Sequence, residues 1–333
     1  MTKTALIIGG TGQIGLATAA ALAIDGWRVI AASRTGGAPA VDGVESFRLD
    51  RDEPGALARA IGPGVDALID TVAFDEGHAR QLLDLQANVG ALVVISSASV
   101  YRDDAGRTLD EARETGFPHF PVPIGEDQPT VAPGPATYST RKIALEQALL
   151  RGASRPVTIL RPCAIHGPGS RHPREWFFVR RIRDGRRVVP LAFSGASRFH
   201  TTATTNIAEL VRVALEAPAT RILNIADPEA PTVSEIGQTI AQVYGHDLEI
   251  VPFEGPPQRG VGASPWSTPR PIVVSVARAE ATGYRPVTAY ENAVGAACRS
   301  AEAMAAQGVA FPDYIGGMFD YQAEDDWLRT LTA

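Results

Sequence analysis

Thr137-Tyr138-Ser139-Thr140-Arg141-Lys142 sets a phenol and an ammonium four residues apart at the start of a helical pattern. Residues at i and i+4 share one helix face, so the spacing predicts that Lys142 lies beside Tyr138. A neighbouring positive charge favours the phenolate and is expected to lower a pKa that starts near ~10. A tyrosine tuned in this way can move a proton near neutral pH. The pair stands out because the chain holds only two lysines, Lys3 and Lys142, while arginine carries nearly all the positive charge. A solvated helix pair is the plain alternative, and the elements around the pair decide between the two.

Upstream, Thr4 to Ile8 reads as a short buried strand that runs at once into Gly9-Gly10-Thr11-Gly12-Gln13-Ile14-Gly15 and a helical run from Leu16 to Ile24. A strand, a glycine turn and a helix in that order suit a pyrophosphate, because glycine lets the backbone approach and the helix N-terminus offers free N–H groups. A second strand, Trp27 to Ala32, ends at Ser33-Arg34, where NAD-selective sites carry an acidic residue for the ribose hydroxyls. Arg34 would instead meet a 2′-phosphate, so NADP is favoured, with NAD as the alternative. A third strand, Glu45 to Leu49, ends in Asp50-Arg51-Asp52, where Asp50 could accept from the adenine amine or cap the next helix.

Val65 to Ala73 reads as a fourth strand with its exit loop, Gly77 to Leu85 as a short helix, and Ala91 to Ile95 as a fifth strand that runs into Ser96-Ser97-Ala98-Ser99-Val100-Tyr101. Repeated β-α units with continuous apolar strands predict an α/β fold, a Rossmann-type doubly wound parallel sheet whose ligands sit at the carboxyl edge of the strands. The serine cluster falls on that edge, either to share a substrate oxygen with Tyr138 or as turn-forming hydroxyls. Residues 102–136 are long, polar and proline-rich, and are read as a lid, with His119 a loop residue. A helix from Tyr138 to Leu150 and a sixth strand, Pro156 to Leu160, follow. Arg161-Pro162-Cys163-Ala164-Ile165-His166-Gly167-Pro168-Gly169 stands at the exit of that strand.

The charge of −6 argues against a general nucleic-acid or membrane-surface binder, which needs a basic face. Two distant cysteines, Cys163 and Cys298, point to neither a disulfide framework nor a metal site, and a reducing cytoplasm fits. The apolar run near the N-terminus is broken too early for a secretory signal, and no segment reaches the ~20 apolar residues of a membrane span.

Gly9, Gly12 and Gly15, Ser96-Ser97 ahead of Val100-Tyr101, Tyr138 with Lys142, and Arg161-Pro162 ahead of Gly167-Pro168 occur in the order and spacing of extended short-chain dehydrogenase/reductases. The chain resembles their NAD-dependent epimerase/dehydratase family, strongly to about residue 170, and within it looks most like the branch of chloroplast stem-loop-binding proteins. The resemblance implies that Tyr138 is the acid/base, that Lys142 lowers its pKa and holds the nicotinamide ribose, and that Ser97 orients the substrate oxygen, with Ser96 its competitor. It also implies cofactor contacts at Gly9, Gly12, Gln13, Ile14, Gly15, Arg34, Asp50, Arg51, Val72, Ala73, Pro162 and Ile165. Substrate-facing candidates are Ser99, Tyr101, His166, Arg198 and Trp266. The family's dehydratases carry an acidic pair after the catalytic hydroxyl, and Ala98-Ser99 in its place argues against dehydration. Phe199-His200-Thr201-Thr202 departs from the segment that contacts phosphate in the family, which weakens the case for a nucleotide-sugar substrate.

The expected division is a cofactor-binding domain over 1–168, with a strand near 221–226 returning to its sheet, and a smaller C-terminal α/β substrate domain over 169–333. In the latter, residues 174–184 read as an amphipathic helix whose arginines, with Arg186 and Arg187, form a basic cluster for an anion or for solvent. Thr205 to Glu216 reads as another helix, Thr232-Val233-Ser234-Glu235 as a capping box, and Tyr290 to Gln307 as a final helix before an aromatic tail. The expected activity is hydride transfer to or from a carbonyl or secondary alcohol of a small molecule. The alternatives are an epimerase that retains its cofactor and a non-catalytic regulator that binds NAD(P) or RNA. The resemblance allows a homodimer.

Overall fold

The computed structural model describes residues 2–37 and 41–331. Residues 38–40, in the loop between the second and third strands, and the outermost ends of the two expected domains lie outside the described residues. The chain runs β1 (Thr4–Ile8), α1 (Gln13–Ile24), β2 (Arg28–Ser33), β3 (Val44–Arg48), α2 (Ala56–Ile61), β4 (Val65–Asp70), α3 (Glu76–Leu85) and β5 (Val89–Ile95). It continues with α4 (Ala112–Thr115), α5 (Tyr138–Gly152), β6 (Val157–Pro162), β7 (Ala164–His166), α6 (Trp176–Arg183), β8 (Val188–Leu191), β9 (Thr201–Ala203), α7 (Thr204–Glu216) and β10 (Arg221–Ile225). Last come α8 (Val233–Val243), β11 (Glu249–Pro252), α9 (Ala277–Glu280), α10 (Tyr290–Ala306), α11 (Asp313–Gly316) and α12 (Tyr321–Thr330).

These elements form two compact units. One comprises Met1–Cys163, Thr204–Ala226 and Val274–Val287, and the other Ala164–Ala203, Asp227–Val273 and Thr288–Ala333.

The first unit is built on a seven-stranded parallel sheet in the order β10-β6-β5-β4-β1-β2-β3. Strands β1, β4, β5 and β6 are buried over nearly their whole length, as strands covered by helices on both sides must be. The order reverses between β1 and β4, the switch point at which open α/β sheets bind ligands. Register makes that edge usable. Ile8 pairs with Ala32 on one side and Asp70 on the other, so the glycine turn, Ser33 and Thr71 leave the sheet at one level. Ile95 pairs with Leu160, which brings Ser96 and Arg161 out together.

Helix α7 lies late in the chain yet packs on α1 in this first unit. Its Ile207, Leu210, Val211 and Ala214 are buried. On its other side in the chain, β10 pairs with β6 in register, Asn224 opposite Arg161, as the expected returning strand. Fully buried Leu6, Ile7, Leu68 and Ile69, worth roughly 1.5–3 kcal/mol each, hold the strand exits in place. Residues 102–136 are anchored to the same unit. Asp103 accepts from the backbone N–H of Arg107 and His119, and Asn224 Nδ2 donates to Ile124 O at 3.1 Å.

The second unit carries two short parallel pairs, β7 with β9 and β8 with β11, and a core of Phe177, Phe178, Ile236, Ile240, Trp266, Val294 and Cys298. The basic cluster expected on α6 is engaged within this unit. Arg181 is 1% exposed, lies 3.8 Å from the Phe177 ring centroid and pairs with Glu324. Arg180 pairs with Asp184, Arg183 with Glu302 and Arg186 with Asp325. Their positive charge is therefore answered by carboxylates of the same fold, two of them, Glu324 and Asp325, on α12. The aromatic tail packs here too, Phe319 on Phe177 and Trp327 on Phe253. No helix among the described residues is long and apolar enough to cross a membrane.

Candidate active site

The glycine turn follows β1 because three backbone demands meet there. Gly9 has φ +81°, a left-handed conformation in which a side chain is strained, and a Cβ on it would lie 2.4 Å from Thr71 Oγ1. The N–H groups of Gly9 and Gly10 both donate to Ala32 O, at 2.9 and 3.0 Å, which folds the turn across β2. A Cβ on Gly15 would lie 2.2 Å from Gly9 O, so only glycine lets the first turn of α1 approach so closely. Helix α1 starts with Gly12 as its cap, with no side-chain cap and no acidic residue in its first turn. Its N-terminal N–H groups and dipole are left for an anion, and the cradle fits a dinucleotide pyrophosphate.

Around this turn the predicted adenosine contacts divide. Arg34 is exposed in the turn after β2. Arg51, expected at the ribose, donates instead to Asp70 Oδ2 at 2.8 Å and to Gln81 Oε1 at 3.0 Å, because Asp70 is fully buried and needs a counter-charge. Asp50 accepts from Asp52 N at 3.1 Å and so closes its own turn, while the cap of α2 is Gly55. Val72 is 48% exposed beside the glycine turn, whereas Ala73 is buried and contributes its carbonyl to Lys142. Pro162 ends β6 and is buried, and half-buried Ile165 belongs to the second unit.

Helix α5 places the reactive pair. Thr137 caps it with a reciprocal capping box, its side chain accepting from Thr140 N while Thr140 Oγ1 accepts from Thr137 N at 2.8 Å. Tyr138 is therefore the first helical residue, its ring 5.7 Å from that of Phe74. One turn on, Lys142 is 5% exposed and donates to Ala73 O at 2.6 Å and Ile95 O at 3.0 Å. Its Nζ lies 5.6 Å from the Tyr138 ring centroid. Burial pushes the Lys142 ammonium from its ordinary 10.5 down to about 8.

The Tyr138 phenol departs from the sequence expectation. Its pKa is raised, first by burial and then by the Asp110 charge, while the Ser97 hydroxyl pulls it down. Lys142 is not among the causes: brought down to about 8, it has already lost its charge in the range where the phenol titrates. The residue as a whole is 43% exposed.

The serine cluster resolves by face. Ser96 is 3% exposed and donates to Glu146 Oε1 at 2.5 Å, and Glu146 also receives Arg161 Nε at 3.0 Å. It belongs to a buried ion-pair network, so it no longer competes with Ser97. Ser97 caps the short 3₁₀ turn Ala98–Val100, accepting from Ser99 N at 3.1 Å and donating to Ser99 Oγ at 3.0 Å. Ser97, Ser99, Tyr138 and Lys142 thus converge at the carboxyl ends of β4 and β5.

Three substrate-facing candidates are corrected. Tyr101 is fully buried, its hydroxyl donating to Asn224 Oδ1 at 2.7 Å and its ring 4.9 Å from the Arg161 guanidinium. His166 is 1% exposed, with Nε2 2.7 Å from Asp227 Oδ2 and its ring edge against Tyr290. Trp266 is a core residue of the second unit, stacked 6.2 Å from Phe178. Arg198, in the second unit, is exposed and donates to Ala230 O at 2.8 Å. Sequence reasoning missed Glu146, although it stands at i+4 from Lys142 on the same helix face, and it missed Ser139 and Asp110, which no local pattern marks.

A family model described as NAD dependent epimerase/dehydratase family matches residues 5–226. The chain belongs to that family. Within it, the chain is similar to 2′-dehydrokanamycin reductase of Streptomyces kanamyceticus, 32% identical over 151 residues. That match spans 44% of this chain and 38% of the relative's length. Among solved structures, the family fold is shared with the UDP-glucose 4-epimerase of Thermotoga maritima bound to UDP-glucose, at TM-score 0.67 and 16% identity over 91% of this chain and 99% of that one. MoeE5 in complex with UDP-glucose and NAD gives TM-score 0.65 and 19% identity over 91% and 99% of the two chains. At these identities the likeness is one of fold. The narrower likeness to the chloroplast stem-loop-binding branch finds no support in these comparisons.

Proposed function

We propose that this member of the family is an NADP-preferring oxidoreductase in which Tyr138 moves the proton that accompanies hydride transfer at a carbonyl or secondary alcohol. The observation that carries the reading is the convergence of Tyr138, Lys142 and Ser97 at the strand edge that also bears an uncapped glycine turn. The bound dinucleotide supplies or takes the hydride. Gly9, Gly12 and Gly15 would make room for its pyrophosphate and Arg34 would meet a 2′-phosphate, while Lys142, its pKa lowered to about 8, stands by the phenol. In reduction, Tyr138 gives its proton to the developing alkoxide and Ser97 orients that oxygen. The second unit serves substrate recognition, with Arg198 the exposed candidate there.

The relative's name makes 2′-dehydrokanamycin a rational first probe within a panel of sugar ketones. The expected result is one NADPH oxidised per carbonyl reduced. Tyr138→Phe lowers kcat by about 10²- to 10⁴-fold, with NADPH affinity held within a few-fold. Arg34→Ala weakens NADPH more than NADH. Substrate conversion without net cofactor change would replace this reading by an epimerase. The reading as an RNA-binding regulator rested on the branch likeness, which finds no support, and Arg180, Arg181, Arg183 and Arg186 are paired with carboxylates; salt-sensitive RNA binding without turnover is the result that would restore it.

A further inference from the structure

Ser139 is fully buried and directly follows Tyr138, yet its side chain points back to the serine turn of β5. Its hydroxyl lies 2.9 Å from Ser99 O and 2.9 Å from Ser99 Oγ. Ser99 Oγ in turn accepts from Ser97 Oγ at 3.0 Å. The backbone N–H of Ser139 donates to Asp110 Oδ2 at 2.8 Å, so the carboxylate of a residue from the 102–136 segment fixes the same residue from the other side. The carbonyl of Ser99 can only accept, and this gives the chain a direction. Ser139 Oγ is the donor toward both Ser99 O and Ser99 Oγ, sharing its one proton between them, and Ser99 Oγ also accepts from Ser97 Oγ. When the phenol ionises, the Ser97 proton turns from Ser99 Oγ to the phenolate, and in that sense Ser97 lowers the phenol. The two Ser139–Ser99 bonds join the turn after β5 to the first turn of α5, the two pieces that must stay in register for Ser97 to act on the phenol.

We propose that Ser139 is a positioning residue, held by Asp110, which locks the Ser97–Ser99 hydroxyl chain to the catalytic helix and so sets the contact between Ser97 and the Tyr138 oxygen. The inference rests on the reading of Tyr138 as the acid/base, but its geometry concerns the free enzyme, so it can be tested without any substrate. Burial raises the phenol and Ser97 lowers it, so loosening Ser97 leaves burial less opposed.

The test is a tyrosinate absorbance titration in which the Tyr138→Phe form of each background is subtracted to isolate Tyr138. Ser139→Ala is expected to weaken Tyr138 ionisation about threefold or more, since a hydrogen bond to a charged group is worth considerably more than that. In a Ser97→Ala background the same substitution is expected to have no further effect, and Ser139→Thr, which keeps the hydroxyl, is expected to restore the native value. Should Ser139→Ala not fold, Ser99→Ala removes the same link from its other end and is read in the same cycle. An equal shift with and without Ser97, or no shift in either, overturns the proposal and leaves Ser139 a packing residue. Loss of the proposed reductase activity in the native protein, with this cycle intact, would overturn the functional reading and not the positioning role.

Discussion

Lys142 offers a prediction that can be worked from the structure alone. Its ammonium is buried, and two backbone carbonyls are its hydrogen-bond partners, so folding takes its pKa from 10.5 to about 8. Between those values the unfolded chain binds the proton and the folded chain does not, so stability rises with pH across that window. Below about 8 both states are protonated and the destabilisation is fully present; above 10.5 neither is, and it vanishes. At 1.36 kcal/mol per pH unit the whole effect is about 3 kcal/mol, of which about 2–3 appears between roughly pH 7 and pH 10.

The perturbation is Lys142→Met, which keeps length and removes the charge. Urea unfolding of both proteins across that range gives the difference in stability at each pH. Packing changes and the carbonyls left without a donor are independent of pH and cancel in the trend, and other titrating groups are common to both proteins. The native protein should gain about 2–3 kcal/mol on the variant as pH rises, while the variant loses turnover at every pH. A difference that stays flat, or that falls with pH, would show that the lysine is not held in a desolvated site and would remove the reason for its near-neutral proton. The expected pattern is the trade of stability for function common at active sites.

Two further perturbations test the scaffold. Gly15→Ala places a methyl 2.2 Å from Gly9 O and should cost dinucleotide affinity at least about tenfold, read by fluorescence titration with NADPH; unchanged affinity would mean that the turn is not the pyrophosphate site. Glu146→Ala leaves the buried Arg161 guanidinium and the Ser96 hydroxyl without their acceptor, and about 3–5 kcal/mol of unfolding free energy should be lost in denaturant melts, against a smaller loss for Glu146→Gln.

The sheet, the glycine turn and the helix carrying Tyr138 and Lys142 were legible in the sequence, because each follows from local backbone rules. Continuous apolar runs mark buried parallel strands, glycines mark a turn without room for Cβ atoms, and a spacing of four puts two side chains on one helix face. The capping box at Thr232 and Glu235 was legible for the same reason. The roles of Tyr101, His166 and Trp266 were not. Each has the size and polarity of a ligand-facing residue, and each is turned inward by a partner distant in sequence: Asn224, Asp227 and Phe178. The basic stretch on α6 misled in the same way, since its carboxylate partners include Glu302, Glu324 and Asp325, more than a hundred residues further on.

By itself, then, the sequence determined that a phenol and an ammonium share the first turns of a helix in a dinucleotide-binding fold. Tertiary structure decided what each of them faces. It buried the lysine on the carbonyls of Ala73 and Ile95, which takes its pKa below that of the phenol, so that burial and not the lysine charge governs the phenol, and it divided two adjacent serines between a buried ion pair and the reactive edge. The physical reason is one of range. Helix and strand periods act over a few residues and assign faces, whereas desolvation, counter-charges and hydrogen-bond partners are set by segments that meet only when the sheet is assembled.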